Sequence, residues 1–231
     1  MIDFTNIDEV KRLDPQDTLR STQLLPEQLE AAWDEVRQIQ IPQGYNNVSN
    51  IIFCGMGASI YGALVVKALF GSDFSYPVEM ISDYHLPKYV NSNSLVVLTS
   101  YSGTTEEVLS CAQEAHEKGA KMLILTKGGQ LAEFAKQKKV PSYIFNGALN
   151  PAGVPRLGNG YTIIGLMGLL HNAGIIKLDE GLLKGGIEHI RKNKDAIIER
   201  AMHDAHSMVG KIPVIFAAEH LSGNAQILRN Q

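Results

Sequence analysis

A run of hydroxyl side chains near the middle of the chain has residue types suited to anion binding. Ser100, Ser102, Thr104 and Thr105 lie between an apolar segment and a helix-like segment. Thr104 and Glu107 fit a capping box, in which a hydroxyl and a carboxylate satisfy N–H groups at a helix start. Ser100, Ser102 and Thr105 are not needed for that cap. We predict that they donate to a phosphate, whose charge the helix N-terminus favours.

A second candidate turn follows an earlier apolar segment, in Gly55-Met56-Gly57-Ala58-Ser59. Its glycines permit close backbone approach to a ligand, and Ser59 begins a predicted helix. We predict that Gly57 and Ser59 contact the same anion. A dinucleotide fingerprint is disfavoured because Ile60 stands where a third glycine or alanine is needed. A glycine turn with a serine cap and no ligand is the other alternative.

The elements around these turns alternate between strands and helices. The apolar runs predict five strands, at residues 51–54, 78–81, 95–99, 122–126 and 142–145. The stretches between them predict helices, at residues 59–70, 104–118 and 130–137. Such alternation indicates an α/β fold with a five-stranded parallel sheet, doubly wound. Because ligands of such sheets bind at the carboxyl ends of the strands, we expect the two turns to converge there.

The rest of the chain predicts a domain division. Residues 1–40 have helical patterning, residues 1–45 are expected to form an N-terminal arm, and residues 46–176 the α/β domain. An apolar helix over 161–172 closes that domain, and residues 177–210 form a charged helical linker. Residues 212–219 repeat the strand, turn and helix order of 51–59, so residues 211–231 predict the start of a second such domain. We expect the apolar helix and a strand at 214–217 to expose surface that favours association.

The glycine turn and the Ser-Tyr-Ser-Gly-Thr-Thr-Glu-Glu segment resemble the sugar isomerase (SIS) domain, which has a flavodoxin-like fold. The segment Asn150-Pro151-Ala152-Gly153-Val154-Pro155-Arg156-Leu157-Gly158 resembles a loop of the bifunctional phosphoglucose/phosphomannose isomerases, whose N-terminal part this chain matches over residues 45–231. The chain departs from the family at Ala58, where a second glycine is usual, and at Thr104, where asparagine is usual. Neither change removes a hydroxyl expected on phosphate.

The resemblance implies a role in carbohydrate metabolism, the interconversion of glucose 6-phosphate or mannose 6-phosphate with fructose 6-phosphate through an enediolate. It implies that Arg156 stabilises the enediolate, with a surface arginine that closes the loop as the alternative. The family's glutamate base and ring-opening histidine lie beyond Gln231, so this chain is expected to lack the base. Glu106 and Glu219 are the first residues to test if it does not. The resemblance further implies a homodimer. A non-catalytic, regulatory sugar-phosphate-binding module is the alternative function.

Composition narrows the class of partner. The 231 residues include 21 Lys and Arg against 24 Asp and Glu, a net charge of −3, so nucleic acid is not an expected partner. No segment predicts a signal peptide or a membrane span, and Cys54 and Cys111 are expected to be reduced core thiols. We therefore expect a cytoplasmic protein with a phosphorylated hexose as ligand, without a cofactor or a metal ion.

Overall fold

The computed structural model describes residues 6–71 and 74–230. Its strands are β1 Asn50–Gly55, β2 Val78–Ile81, β3 Ser94–Ser100, β4 Lys121–Thr126 and β5 Ser142–Ile144. Its α-helices are α1 Ile7–Leu13, α2 Thr18–Gln23, α3 Leu25–Val36, α4 Tyr61–Phe70, α5 Glu106–Glu117, α6 Gly129–Lys138, α7 Asn159–Asn172, α8 Glu180–Met208 and α9 Ser222–Asn230. Single 3-10 turns lie at Gly57–Ile60, Pro155–Leu157 and Glu219–Leu221.

The five strands form one sheet in the order β2-β1-β3-β4-β5, and every pair is parallel. The predicted α/β fold with a five-stranded parallel sheet is confirmed. The register aligns Gly55 with Thr99 and Ser100 with Thr126, so β1, β3 and β4 end at the same edge. The turns after these strands are therefore neighbours in space, although they are more than forty residues apart along the chain in the case of β1 and β3.

Successive residues of the central strands point into two apolar layers, one on each face of the sheet. This period of two residues is expected of a sheet that is covered on both faces. Phe53, Val97 and Leu125 belong to the layer that packs against α3, α4 and α7. Ile52 and Leu98 belong to the opposite layer, with buried residues of α5 and α6. Because helices cover both faces, the strands are almost continuously apolar rather than alternately polar.

The apolar helix α7 is a core element rather than an exposed surface. Ten of its fourteen residues are buried, and α3 and α4 are its main helical neighbours. The expectation that this helix exposes a surface for association is therefore wrong. Two glycines let the elements approach closely, since a Cβ at Gly168 would lie 2.2 Å from Val36 and one at Gly165 would lie 2.4 Å from Tyr143. Helix α3 of the N-terminal arm covers α7, a contact that the sequence did not predict.

The C-terminal part of the described chain differs from the predicted strand–turn–helix unit. Residues 212–218 belong to no strand in the described part, so the strand expected at 214–217 does not form here. A lone strand has no neighbour to satisfy its backbone hydrogen bonds, whereas β1 has two partners. The following helix α9 does form, and it packs on α4, where a Cβ at Gly223 would lie 2.8 Å from Leu64 O. Among the described helices, none combines the length and apolarity that crossing a membrane requires.

Candidate anion-binding site at the carboxyl edge of the sheet

The turns after β1 and β3 are in direct contact. The Tyr101 backbone N–H donates to Ser59 Oγ, with 3.1 Å between nitrogen and oxygen. A Cβ at Gly55 would lie 3.2 Å from Thr99 O, so glycine permits this close approach. Gly57 has a φ of +54° and open space around it. The structure therefore brings Gly57 and Ser59 next to the serine-rich turn, as expected, and their role in anion binding stays a prediction.

The serine-rich turn is held by its own hydroxyls. Ser100 is only 1% exposed, and its Oγ accepts from Gly103 N at 3.0 Å and lies 2.7 Å from Thr105 Oγ1. Ser102 is exposed, and its Oγ accepts from both the backbone N–H (3.2 Å) and the hydroxyl (3.1 Å) of Thr104. A serine that accepts two bonds still has its own O–H to donate. Ser102 therefore presents a donor to solvent at this edge.

The predicted capping box at Thr104 and Glu107 is wrong. Helix α5 begins at Glu106, and its N-cap is Thr105, whose side chain makes no capping hydrogen bond. Because the helix starts one residue later than the pattern requires, Glu107 does not reach the capping position, and the Thr104 hydroxyl turns to Ser102. The Thr105 hydroxyl is engaged with Ser100 instead. The first-turn N–H groups of α5 are thus not satisfied by the cap residue, which suits an anion at this end of the helix.

A third turn, after β4, supports the serine-rich turn through main-chain contacts. Lys127 N donates to Tyr101 O at 3.0 Å, and Leu131 N donates to Gly103 O at 2.9 Å. A Cβ at Gly103 would lie 1.8 Å from Gly128 O, and Gly103 has a φ of +71°. Only glycine satisfies both conditions. The sequence analysis missed this support, although the Gly128-Gly129 pair directly after a strand was its signal.

The loop of residues 146–160 packs on Tyr101 at the carboxyl edge of the sheet. Asn150 Nδ2 donates to Tyr101 Oη at 2.7 Å and to Val154 O at 2.9 Å. A Cβ at Gly158 would lie 2.3 Å from the Tyr101 ring. Burial raises the pKa of Tyr101, and the bond from Asn150 opposes that rise. The sequence analysis did not assign Asn150 or Tyr101 a role. The two residues are far apart in the chain, and no local sequence pattern indicates that they form a hydrogen bond.

Arg156 is exposed and lies in the 3-10 turn Pro155–Leu157 of this loop. That turn is a neighbour of the 3-10 turn Gly57–Ile60, which contains Ser59. The fold therefore places the predicted catalytic arginine beside the first predicted phosphate turn. A guanidinium there can stabilise negative charge that develops on a ligand at the edge of the sheet.

The loop after β2 forms hydrogen bonds with the end of β1 and with the start of α5. Ser82 Oγ donates to Gly55 O at 2.8 Å, and Tyr84 Oη donates to Glu106 Oε2 at 3.3 Å. His85 Nδ1 lies 2.6 Å from Glu114 Oε1, and this hydrogen bond raises the pKa of His85 and lowers that of Glu114. His85 thus anchors its loop to α5. Across the described ranges, no group of three histidine, cysteine or carboxylate side chains is placed to hold a metal ion.

Comparison with known proteins gives one family and several relatives. Residues 45–143 match the SIS domain. A bifunctional phosphoglucose/phosphomannose isomerase of Caldicellulosiruptor bescii is 36% identical over 154 residues, which are 66% of this chain and 44% of that protein. The protein of the same name from Aquifex aeolicus is 32% identical over 187 residues, 80% of this chain and 53% of the relative. Thus the chain spans about half the length of the curated relatives it matches. The predicted resemblance is confirmed.

The fold of solved structures agrees with this match. The crystal structure of tagatose-6-phosphate ketose/aldose isomerase from Escherichia coli superposes with a TM-score of 0.54 at 16% identity. The superposition covers 95% of this chain and 60% of that chain. At this level of identity, the similarity is one of fold.

Proposed function

We propose that this chain, whose residues 45–143 form a SIS domain, binds the phosphate of a hexose 6-phosphate for an aldose–ketose isomerase. The reaction proposed is the interconversion of glucose 6-phosphate or mannose 6-phosphate with fructose 6-phosphate. The relatives' names support this reaction. The observation that carries the binding role is the exposed Ser102 hydroxyl at the start of α5, beside the turn that contains Ser59.

In this proposal the hydroxyls of the site have two roles. Ser102 and Thr105 donate to phosphate oxygens, together with N–H groups at the start of α5 and the backbone of Gly57. Ser59 and Ser100 are buried and already accept backbone hydrogen bonds. Ser59 keeps an O–H that can donate. When the Thr105 hydroxyl donates to the phosphate, the Ser100 O–H donates to Thr105 Oγ1, 2.7 Å away. Both buried serines also fix the main chain that carries the other donors. Neutral donors in fixed positions explain how a chain with a net charge of −3 can bind an anion.

Arg156 is proposed to stabilise the enediolate. Isomerisation moves a proton between C1 and C2 and leaves negative charge on the C1 and C2 oxygens as the enediolate forms. A guanidinium is always protonated in proteins, so it can stabilise that charge but cannot remove the proton. The neighbouring positions of its 3-10 turn and the 3-10 turn Gly57–Ile60 support this role, because one hexose phosphate would contact both turns.

The proton-transferring base is proposed to lie outside these 231 residues. Two carboxylates in the chain are the alternatives. Glu106 is exposed at the start of α5 and accepts from Tyr84 Oη. Glu219 lines a cleft of about 720 Å³ between α4 and α9, which Lys67 and Ala68 of α4 also line. Glu106 is held by an exposed tyrosine, and among the described residues the Glu219 carboxylate has no side-chain partner, so neither has the geometry of an oriented catalytic base.

A binding experiment tests the phosphate site. Calorimetry with fructose 6-phosphate is expected to show binding by the unmodified chain and a loss of about 1–3 kcal/mol for Ser102→Ala, since a hydrogen bond to a charged group is removed. Ser92→Ala is the matched control, because Ser92 is an exposed serine that precedes β3 at the opposite end of the strand. Equal affinity of the two variants would place the phosphate elsewhere.

An activity assay separates isomerase from binding module. A coupled assay compares this chain with a version extended past Gln231. The proposal expects turnover only in the extended protein, because loss of a positioned base typically costs about 10²- to 10⁴-fold in rate. Turnover in both would place the base within residues 1–231. Binding without turnover in either would favour the regulatory module.

A homodimer and the division of the chain into segments at residues 45, 176 and 210 are parts of the same proposal.

A further inference from the structure

Lys127 follows β4 and lies at the same edge of the sheet as the two predicted phosphate turns. Its backbone N–H donates to the carbonyl of Tyr101, the residue before Ser102. Its side chain is exposed and its stem lies over Gly147, since a Cβ there would come within 3.1 Å of Lys127 Cε and 3.3 Å of Cδ. The absence of a side chain at Gly147 therefore leaves the space that the stem of Lys127 occupies.

The serine-rich turn has no positive side chain of its own to attract a phosphate. Its donors are neutral hydroxyls and backbone N–H groups, and the first turn of α5 carries the carboxylates of Glu106 and Glu107. Those carboxylates benefit from the helix dipole and repel a second anion. In the part of the chain that the structure describes, the Lys127 ammonium forms no ion pair and no hydrogen bond. Its charge is therefore available beside a turn whose phosphate donors are neutral.

We propose that Lys127 binds the substrate phosphate and supplies the positive charge that the serine-rich turn lacks. This inference rests on the proposed function. An ammonium on a flexible four-carbon stem can swing from Gly147 toward Ser102, and it acts as a point charge that does not require the planar geometry of a guanidinium. Arg156 then remains for the sugar end of the ligand, so the two cations serve different groups of one substrate.

The test uses Lys127→Met, which keeps an apolar stem against Gly147 and removes the charge. Lys127→Arg restores a charge, and Lys138→Met is the control, because Lys138 is an exposed lysine at the far end of α6. Calorimetry measures fructose 6-phosphate and inorganic phosphate at two salt concentrations. Circular dichroism checks that each variant is folded.

Lys127→Met is expected to weaken binding of both ligands about 5- to 10-fold at low salt, and to reduce the salt dependence of the binding constant. Lys127→Arg and Lys138→Met are expected to stay within about twofold of the unmodified chain. Unchanged affinity and salt dependence in Lys127→Met, while the unmodified chain binds fructose 6-phosphate, would overturn this inference and leave the proposed function standing. No binding of fructose 6-phosphate by the unmodified chain would overturn both.

Discussion

Buried and exposed hydroxyls within one turn have different consequences when they are removed. Ser59 is 8% exposed, and it is the acceptor for the backbone N–H of Tyr101. Ser102 is exposed, and the groups that it accepts from are also exposed. The same substitution therefore affects the stability of the fold at one position and the proposed ligand at the other.

Ser59→Ala is expected to lower the free energy of unfolding by about 1–3 kcal/mol, because it leaves the buried Tyr101 N–H without an acceptor. Ser102→Ala is expected to change it by less than about 0.5 kcal/mol, as for most surface substitutions. Urea unfolding measures both. If Ser59→Ala loses as little stability as is expected of Ser102→Ala, Ser59 does not hold the turns together.

The ion pair between His85 and Glu114 predicts a dependence on pH. The pKa of His85 is raised above its ordinary value of 6.5, first by the hydrogen bond to Glu114 and also by the charges of Glu114 and Asp83. The pKa of Glu114 is lowered below its ordinary 4.5. The histidine contribution is complete below 6.5 and is lost as pH rises through its raised pKa. The glutamate contribution is complete above 4.5 and is lost as pH falls through its lowered pKa. The pair therefore anchors the loop most firmly between these two values.

Glu114→Gln is expected to return the pKa of His85 toward 6.5, which NMR titration of the imidazole measures. Glu117→Gln serves as the control, since Glu117 is a carboxylate one turn further along α5 whose side chain accepts from Gln113. A pKa of His85 that does not change in Glu114→Gln would contradict the assignment of the shift to this contact.

At the scale of elements, the N-terminal helices hold the loop that carries Arg156. The side chain of Gln28 in α3 is completely buried. Its Nε2 lies 2.9 Å from Leu149 O and 3.0 Å from Leu157 O, and its Oε1 accepts from Gly160 N at 3.2 Å. One side chain thus satisfies one backbone group near the start of the loop and two near its end. The arm predicted for residues 1–45 therefore positions the predicted catalytic loop.

Gln28→Ala is expected to cost about 2–4 kcal/mol of stability, because several buried backbone groups lose their partner at once. Gln38→Ala is the control, since Gln38 is exposed and its side chain donates to the neighbouring Asp34 O. Denaturant unfolding measures the difference, and limited proteolysis reports whether the 146–160 loop opens first. A Gln28→Ala variant as stable as the control would show that the loop does not depend on α3.

The strands could be predicted because each is a short apolar run between turn residues, and the helices because their periods differ from those of the strands. Thr104 shows where local reasoning failed, since the capping pattern was present but the hydroxyl bonds to Ser102. The supports of the site were not predictable either. Gln28 bonds across more than 120 residues of sequence to Leu149, and nothing near Gln28 in the chain indicates that partner.

At the scale of the whole molecule, the apolar surface lies in the segment before α9 rather than on α7. Ile212 is 91% exposed, Val214 71% and Phe216 92%. Neighbouring exposed apolar side chains of this kind favour association with another surface. The homodimer implied by the resemblance thus remains a proposal, and this segment is a second, separate reason for molecules of the chain to associate.

A double substitution, Val214→Ser with Phe216→Ser, is expected to reduce self-association of the chain in sedimentation experiments at high concentration. Ile197→Ser is the control, because Ile197 is an apolar residue of α8 that is 52% exposed and lies outside this segment. If the double variant associates as strongly as the unmodified chain, residues 212–216 are not the cause and another surface holds the copies together.

The contact of the serine-rich turn with the turn after β4 has a consequence for the thermodynamics of binding. The turn is fixed by Leu131 N on Gly103 O and by Gly103 N on Ser100 Oγ before any ligand arrives. Its conformational entropy is therefore lost when the sheet folds and not when a ligand binds. Amide hydrogen exchange at Gly103 and Leu131 accordingly follows the opening of the sheet edge itself, so that a bound sugar phosphate slows it only by the amount that it stabilises the whole domain.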